Sequence, residues 1–252
     1  MAGKGCVSSE MENKKYTVKC PECGANVEIS RPAIINVQND PGYKEKILSG
    51  QLFHEKCPKC GQELQVVSRT TYHDMEKRIM IYFRPITSQE ELKSFDYEAI
   101  RSAIEDNFKA PNYAIRVVTT VNELMEKIKI AEFGLNDGVI EIAKFVYFDL
   151  FTKQFDGIGV INVYYERRED KDALIFFCND GRTRSIMIDP EVYASIEKRF
   201  SAVVNAIYTS RVCMVGRDWA LRMIKAYSKL DSEKQSAAAE VKPELKLLDS
   251  ES

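Results

Sequence analysis

The residues with the most legible chemistry are Cys20-Pro21-Glu22-Cys23-Gly24 and, further along, Cys57-Pro58-Lys59-Cys60-Gly61. Two residues between cysteines let both sulfurs turn inward on one tight turn. Two such turns supply the four soft ligands that tetrahedral Zn²⁺ prefers. The glycine after each second cysteine takes positive φ at little cost, so the backbone N–H groups that follow can aim at the thiolate sulfurs. Each proline presets φ on the way in. The repetition of the whole Cys-Pro-X-Cys-Gly unit makes Cys20, Cys23, Cys57 and Cys60 the expected ligands of one zinc ion. Iron in rubredoxin-like sites uses closely similar knuckles and is the alternative metal, because the ligands alone do not separate the two. Four thiolates leave no open position for water or substrate, so the expected role of the metal is structural. The dithiols do not read as redox pairs. Reactive pairs sit at helix N-termini, whereas each hook here runs into glycine and a strand.

The chain's two histidines are the other residues to weigh. His54 stands three residues before Cys57, but with four thiolates present a fifth ligand is unnecessary. His73-Asp74 has the composition of an oriented general base. Adjacent residues on a strand point to opposite faces, however, so the pair is expected to form a turn between strands. An enzyme using an interdomain cleft near His73 is kept as an alternative. There is no glycine-rich phosphate loop, nucleophile elbow or histidine-carboxylate cluster. Cys178 and Cys213 lie in apolar surroundings and read as small buried hydrophobes, in keeping with a reducing compartment.

The elements that must position the hooks can be taken in order. Tyr16–Lys19 and Ala25–Ser30 read as strands on either side of the first hook, with the second alternating at period two. Asp40-Pro41 opens a short helix that Gly50 ends. Glu63–Val67 and Arg78–Phe83 are read as further strands of the same sheet. Residues 88–109 read as helical, Tyr113–Val118 as a strand, and Thr120 caps a helix that Gly134 stops. Asn136-Asp137 caps the next, which is apolar on nearly every side and therefore expected to be buried on more than one face. From Ile158 the period changes to two, and Asn179-Asp180-Gly181 is a strong hairpin signal. Asp189-Pro190 opens a long helix, and another follows from about Asp218.

Together these give an α+β protein: a zinc ribbon with rubredoxin-like knuckles and an inserted helix, followed by a helical and antiparallel-meander domain. The expected divisions are a disordered terminus over 1–14, the ribbon over 15–86, the α+β domain over 87–228, and a disordered tail over 229–252. The doubled Cys-Pro-X-Cys-Gly, the Asp40-Pro41 helix ending at Gly50, and Tyr72-His73-Asp74 together resemble the CpXC family of bacterial and archaeal proteins. So do Glu123-Leu124, Lys127-Ile128 and the run from Leu135 to Glu141. The resemblance covers most of residues 16–145. It implies a zinc ribbon and a prokaryotic, cytoplasmic origin, and it supplies no substrate.

Of 252 residues, 36 are basic and 38 acidic, so no global field draws the chain onto nucleic acid or an anionic membrane. No run reaches the roughly 18 apolar residues of a membrane helix, and the N-terminus lacks the apolar core of a secretory signal. The expectation is a cytoplasmic protein without membrane contact. Its expected function is that of a non-catalytic scaffold presenting a surface to an unidentified protein partner. Nucleic-acid binding through the ribbon is the rival, with Lys56, Lys59, Lys77, Arg78 and Arg84 as phosphate contacts and Tyr72 and Tyr82 as stacking platforms.

Overall fold

The computed structural model describes residues 13–108, 112–207, 212–233 and 247–248. Contacts divide the chain into two compact units, Met1–Val121 and Asn122–Ser252. The boundary expected at residues 86–87 falls inside the first of them. Of the terminus expected to be disordered, residues 1–12 lie outside the described residues.

In the first unit, β1 (Asn13–Lys19) and β2 (Asn26–Pro32) pair antiparallel, with Lys19 opposite Asn26, and the first hook is the turn between them. β2 turns Val27 and Ile29 inward and its alternate residues outward, as a half-buried strand must. β3 (Ile34–Asn36) and α1 (Gly42–Leu48) lie between the hooks. Pro41, not Asp40, occupies the cap of α1 and makes no side-chain cap bond, while Gly50 ends the helical stretch at φ 80°. β4 (His54–Lys56) and β5 (Glu63–Gln65) then repeat the antiparallel arrangement around the second hook.

A second sheet of this unit places β3, β6 (Thr70–Asp74), β7 (Ile79–Phe83) and β8 (Ala114–Val118) side by side in that order. β3 and β6 run parallel, β6 and β7 antiparallel, and β7 and β8 parallel. This corrects two sequence expectations. Ile79–Phe83 does not extend the sheet of the hooks, and His73-Asp74 is not a turn but the end of a strand. The reason lies in β6 itself. Four of its five residues are buried, so it shows no polar–apolar alternation. Its buried polar groups are satisfied locally: Thr70 Oγ1 donates to the Pro32 carbonyl at 2.9 Å. Asp74 Oδ1 accepts from Gln38 Nε2 at 2.9 Å and from the Lys77 N–H at 3.0 Å. The single helix expected over 88–109 is two, α2 (Gln89–Ser94) and α3 (Tyr97–Asn107). Each has its own cap: Ser88 Oγ accepts the Glu91 N–H and Asp96 Oδ1 the Ala99 N–H.

The second unit is built from α4 (Val121–Glu132), α5 (Asp137–Gln154), β9 (Val160–Arg168), β10 (Lys171–Cys178), β11 (Thr183–Met187) and α6 (Pro190–Ile207). β12 (Val212–Cys213), α7 (Arg217–Glu233) and β13 (Leu247–Leu248) follow. β9, β10 and β11 form the expected meander. The turn at Glu169-Asp170 takes positive φ at both residues, the backbone twist that tight hairpins favour. β13 adds to β11, and α7 continues to Glu233. Both fall within the stretch from 229 expected to be unstructured, of which the remainder lies outside the described residues.

α5 is the centre of this unit's core, as its all-round hydrophobicity demands. Val139, Ile140, Ile142, Tyr147 and Phe151 are buried, and Phe151 stacks on Phe176 of β10 with ring centroids 4.6 Å apart. Gly138, in its first turn, lies against Trp219 of α7: a Cβ there would meet the indole ring at 2.6 Å. Gly138→Ala is therefore expected to destabilise the protein by about 1–3 kcal/mol despite the better helix propensity of alanine. Urea denaturation checks this; a variant as stable as the parent would show that the indole ring yields freely.

Candidate metal centre

The two hooks are superimposable in their hydrogen bonding. Gly24 N–H donates to the Cys20 carbonyl at 3.0 Å, and Cys20 N–H to the Ala25 carbonyl at 2.8 Å. The second hook repeats this as Gly61 to Cys57 at 2.9 Å and Cys57 to Gln62 at 2.8 Å. Gly24 and Gly61 hold φ of 67° and 77°, the left-handed turn that the sequence motif anticipates. Cys20 and Cys57 are buried, Cys23 is half-buried and Cys60 exposed, so the cluster sits at the edge of its small core.

All four Sγ atoms lie within 4.8 Å of one another. Cys20 Sγ and Cys60 Sγ are 3.6 Å apart, and Cys23 Sγ and Cys57 Sγ 3.7 Å. A disulfide would bring a pair to about 2.05 Å. Four sulfurs around one ion at about 2.3 Å in a tetrahedron stand about 3.8 Å apart. The cysteines thus fit a metal ion bound by four thiolates. Titration agrees. The backbone N–H groups of Cys60 and Lys59 point at the Cys57 sulfur and, against the cost of burial, lower its pKa to about 6. At Cys60 the Gln62 N–H also acts to lower the pKa, but local desolvation and the hydrogen bonds of the neighbouring sulfurs outweigh it and, although Cys60 is exposed, raise it to about 12. Four thiolates this close repel one another, and a bound cation removes that repulsion.

His54 is not part of the cluster. Its Nδ1 is 2.8 Å from Glu63 Oε1 across the β4–β5 pair, a surface contact. His73 and Asp74 point apart, as neighbours on a strand must. His73 Nε2 is 3.2 Å from the Tyr113 hydroxyl, and its ring meets Phe108 and Tyr113. Burial depresses the His73 pKa below 6.5, and the nearby Asp74 carboxylate offsets this only in part. NMR titration is expected to find His73 neutral at pH 7, with a midpoint under 6.5; a midpoint above it would mean the ring is not shielded. Of the residues proposed to meet nucleic acid, Tyr72 is 1% exposed and cannot stack on a base. Arg84 Nη1 donates to the Phe83 carbonyl at 3.0 Å, leaving Lys56, Lys59, Lys77 and Arg78 as exposed basic residues.

A second polar centre escaped sequence reasoning. In the second unit Lys127 Nζ lies 3.2 Å from Glu141 Oε1 and 3.3 Å from Asp137 Oδ2, with its side chain 1% exposed. Lys144 Nζ lies 2.8 Å from Glu141 Oε1 and 2.7 Å from Glu126 Oε1. Glu126 also accepts the backbone N–H of Tyr165 in β9. The result is an alternating chain, Glu126, Lys144, Glu141, Lys127, Asp137, that ties α4 to α5. The signal was in the spacing: Asp137, Glu141 and Lys144 fall at i, i+4 and i+7, one face of an otherwise apolar helix. From sequence Asp137 reads as part of the helix cap, and Glu141 and Lys144 read as interruptions of an apolar run, because their partners on α4 are not adjacent.

Fold and site define an α+β protein with a four-cysteine centre able to hold a metal ion. The chain belongs to the CpXC protein family, whose model matches residues 18–144, half of the sequence. The matched segment holds all four cysteines and ends on Lys144, so it also contains the whole charged chain. No curated protein and no solved structure matches the sequence. Among the described residues no helix is long and apolar enough to cross a membrane.

Proposed function

We propose that this CpXC-family protein binds one zinc ion through Cys20, Cys23, Cys57 and Cys60 as a structural centre, and that it acts as a non-catalytic scaffold for a protein partner in the cytoplasm. The observation that carries the zinc reading is the approach of four sulfurs from two hooks with identical backbone bonding. In this reading β1–β2 and β4–β5 are the arms of a zinc ribbon, and β3 and α1 are its insertion. Zinc tolerates the tetrahedral thiolate set without redox change, and the closed donor set leaves no coordination site for chemistry. The residues are expected to stay reduced, as cytoplasmic thiols do.

The scaffold reading is supported by the placement of His73, packed among aromatic rings in the first unit. Against nucleic-acid binding stand the buried Tyr72 and the half-buried Arg84, whose guanidinium is engaged by the Phe83 carbonyl. The test is retention on immobilised, zinc-supplemented full-length protein from native extract, with co-purified nucleic acid assayed in parallel. The scaffold reading expects a specific protein that survives nuclease treatment. Nucleic acid released by moderate salt, with no protein partner, would replace it by the rival.

A further inference from the structure

In the first unit Arg69 and Arg84 meet without a counter-charge between them. Thr70 of β6 lies opposite Phe83 of β7, so the same register carried one residue further sets Arg69 opposite Arg84. The backbone still follows the sheet there, since the Arg84 N–H donates to the Val118 carbonyl at 2.9 Å. Residues directly opposite on neighbouring strands share a face, and like charges so placed repel. Burial first, and the Arg69 charge after it, hold the Arg84 pKa below its ordinary value, with Tyr82 offsetting this in part.

The Arg84 side chain is nevertheless held in place. Its Nη1 donates to the Phe83 carbonyl at 3.0 Å and, at 3.4 Å, to the Thr70 carbonyl. Its Cζ lies 5.4 Å from the ring centroid of Tyr82, two residues back on the same face. These contacts engage Nη1 alone: Nε and Nη2 make no hydrogen bond to the described residues, and neither is sealed from solvent. Arg69 is exposed, and among the described residues neither arginine forms an ion pair. The acid that Arg69 acts on is Glu91 of α2. Its Oε2 is already taken by the Thr87 N–H at 2.7 Å and the Thr87 hydroxyl at 2.8 Å.

We propose that Arg69 and Arg84 form a binding site for the phosphate group of a phosphate monoester, with Arg84 as the preset fork and Arg69 closing on the anion from the solvent side. A monoester carries about −1.5 to −2 at pH 7, which matches two guanidiniums, whereas a carboxylate answers one. Its oxygens accept from Nε and Nη2 of Arg84 side by side and from Arg69 at the same time. The two carbonyls that fix Nη1 spare Arg84 the ordering cost that a free side chain would incur on binding. The pair is one phosphate wide, so it does not restore the nucleic-acid reading, which needs contacts to successive phosphates.

This inference rests on neither the zinc nor the scaffold reading. It is tested by isothermal titration of inorganic phosphate into zinc-loaded full-length protein freed of excess metal, with ionic strength held constant by chloride. Binding is expected to saturate with a Kd of about 1 mM. Arg69→Gln and Arg84→Gln should each weaken it about tenfold or more. Arg69 is exposed, so its variant keeps the test open should Arg84→Gln fold poorly. In chloride alone Arg69→Gln should be at least as stable to urea as the parent, because a repulsion is removed. About 20 mM phosphate should raise the urea midpoint of the parent and leave that of Arg69→Gln unmoved. Phosphoserine amide and ribose 5-phosphate, titrated alongside, separate a phosphorylated side chain from a small metabolite; tighter binding of either than of inorganic phosphate supports the site and names its source. No saturation up to about 20 mM phosphate, or equal binding by Arg69→Gln, overturns the proposal. A parent that binds an oligonucleotide but not inorganic phosphate also overturns it, in favour of nucleic-acid contact.

Discussion

Replacing Cys57 by alanine, or stripping the metal with a chelator, is expected to unfold the hook region while leaving the second unit folded. The buried cluster beneath the hooks has six members, and two of them are Cys20 and Cys57, both proposed as ligands. Val27, Ile29, Leu64 and Val66 remain, too small a core to hold two short strand pairs in place. A structural zinc site contributes on the order of 10–16 kcal/mol in small zinc peptides, so most of this region's stability should be metal-dependent. Hydrogen exchange followed by mass spectrometry is the appropriate readout. Amides of β1, β2, β4 and β5 should lose protection, whereas β10 and β11 keep theirs. Unchanged protection across the hooks after complete metal removal would mean that the centre is not structural.

The second large effect is expected at Lys127. Removing a partner from a buried ion pair leaves an uncompensated charge and typically costs about 3–5 kcal/mol. Lys127→Ala would leave Glu141 and Asp137 facing each other with one ammonium, Lys144, serving two glutamates. Equilibrium urea unfolding should show a loss of about 3–5 kcal/mol, while the double variant Lys127→Met with Glu141→Gln should lose less. A Lys127→Ala variant within about 0.5 kcal/mol of the parent would show the chain of charges to be hydrated and weak. The pH dependence has a defined sign. Burial alone would raise the Glu141 pKa, but Lys127 and Lys144 outweigh it and hold the carboxyl below its ordinary 4.5. Its stabilisation is therefore complete above pH 4.5 and lost as pH falls through the lower folded value.

The elements that sequence reasoning located are those whose signals are local. The hooks declare themselves because their backbone bonds close within five residues, from Cys20 to Ala25. The Asn136 cap, the Asn179–Gly181 turn and the apolar surround of α5 are likewise written in adjacent or one-turn-apart residues. β6 was missed because one of its two partners lies far off in sequence: β3 precedes it by some 35 residues, and its buried threonines and Asp74 look like loop composition until that partner is known. The parallel pairing of β7 with β8 has the same origin, since two helices intervene. The charged chain needed both α4 and α5 to become visible. Glu126 and Lys127 lie on one helix and Asp137, Glu141 and Lys144 on the other, and only their packing shows that every charge has an answer.

The central claim is that four thiolates hold one zinc ion. Metal analysis of the purified full-length protein, with absorption spectra after cobalt replacement, tests it most directly. The account predicts one zinc per chain and the intense charge-transfer bands of a tetrahedral four-thiolate cobalt centre, both abolished in Cys20→Ser and Cys60→Ser. A coloured, iron-containing protein would keep the ligand set and change the metal. Zinc retained at full stoichiometry in either serine variant, or a protein that binds no metal with all four thiols reduced, would contradict the account.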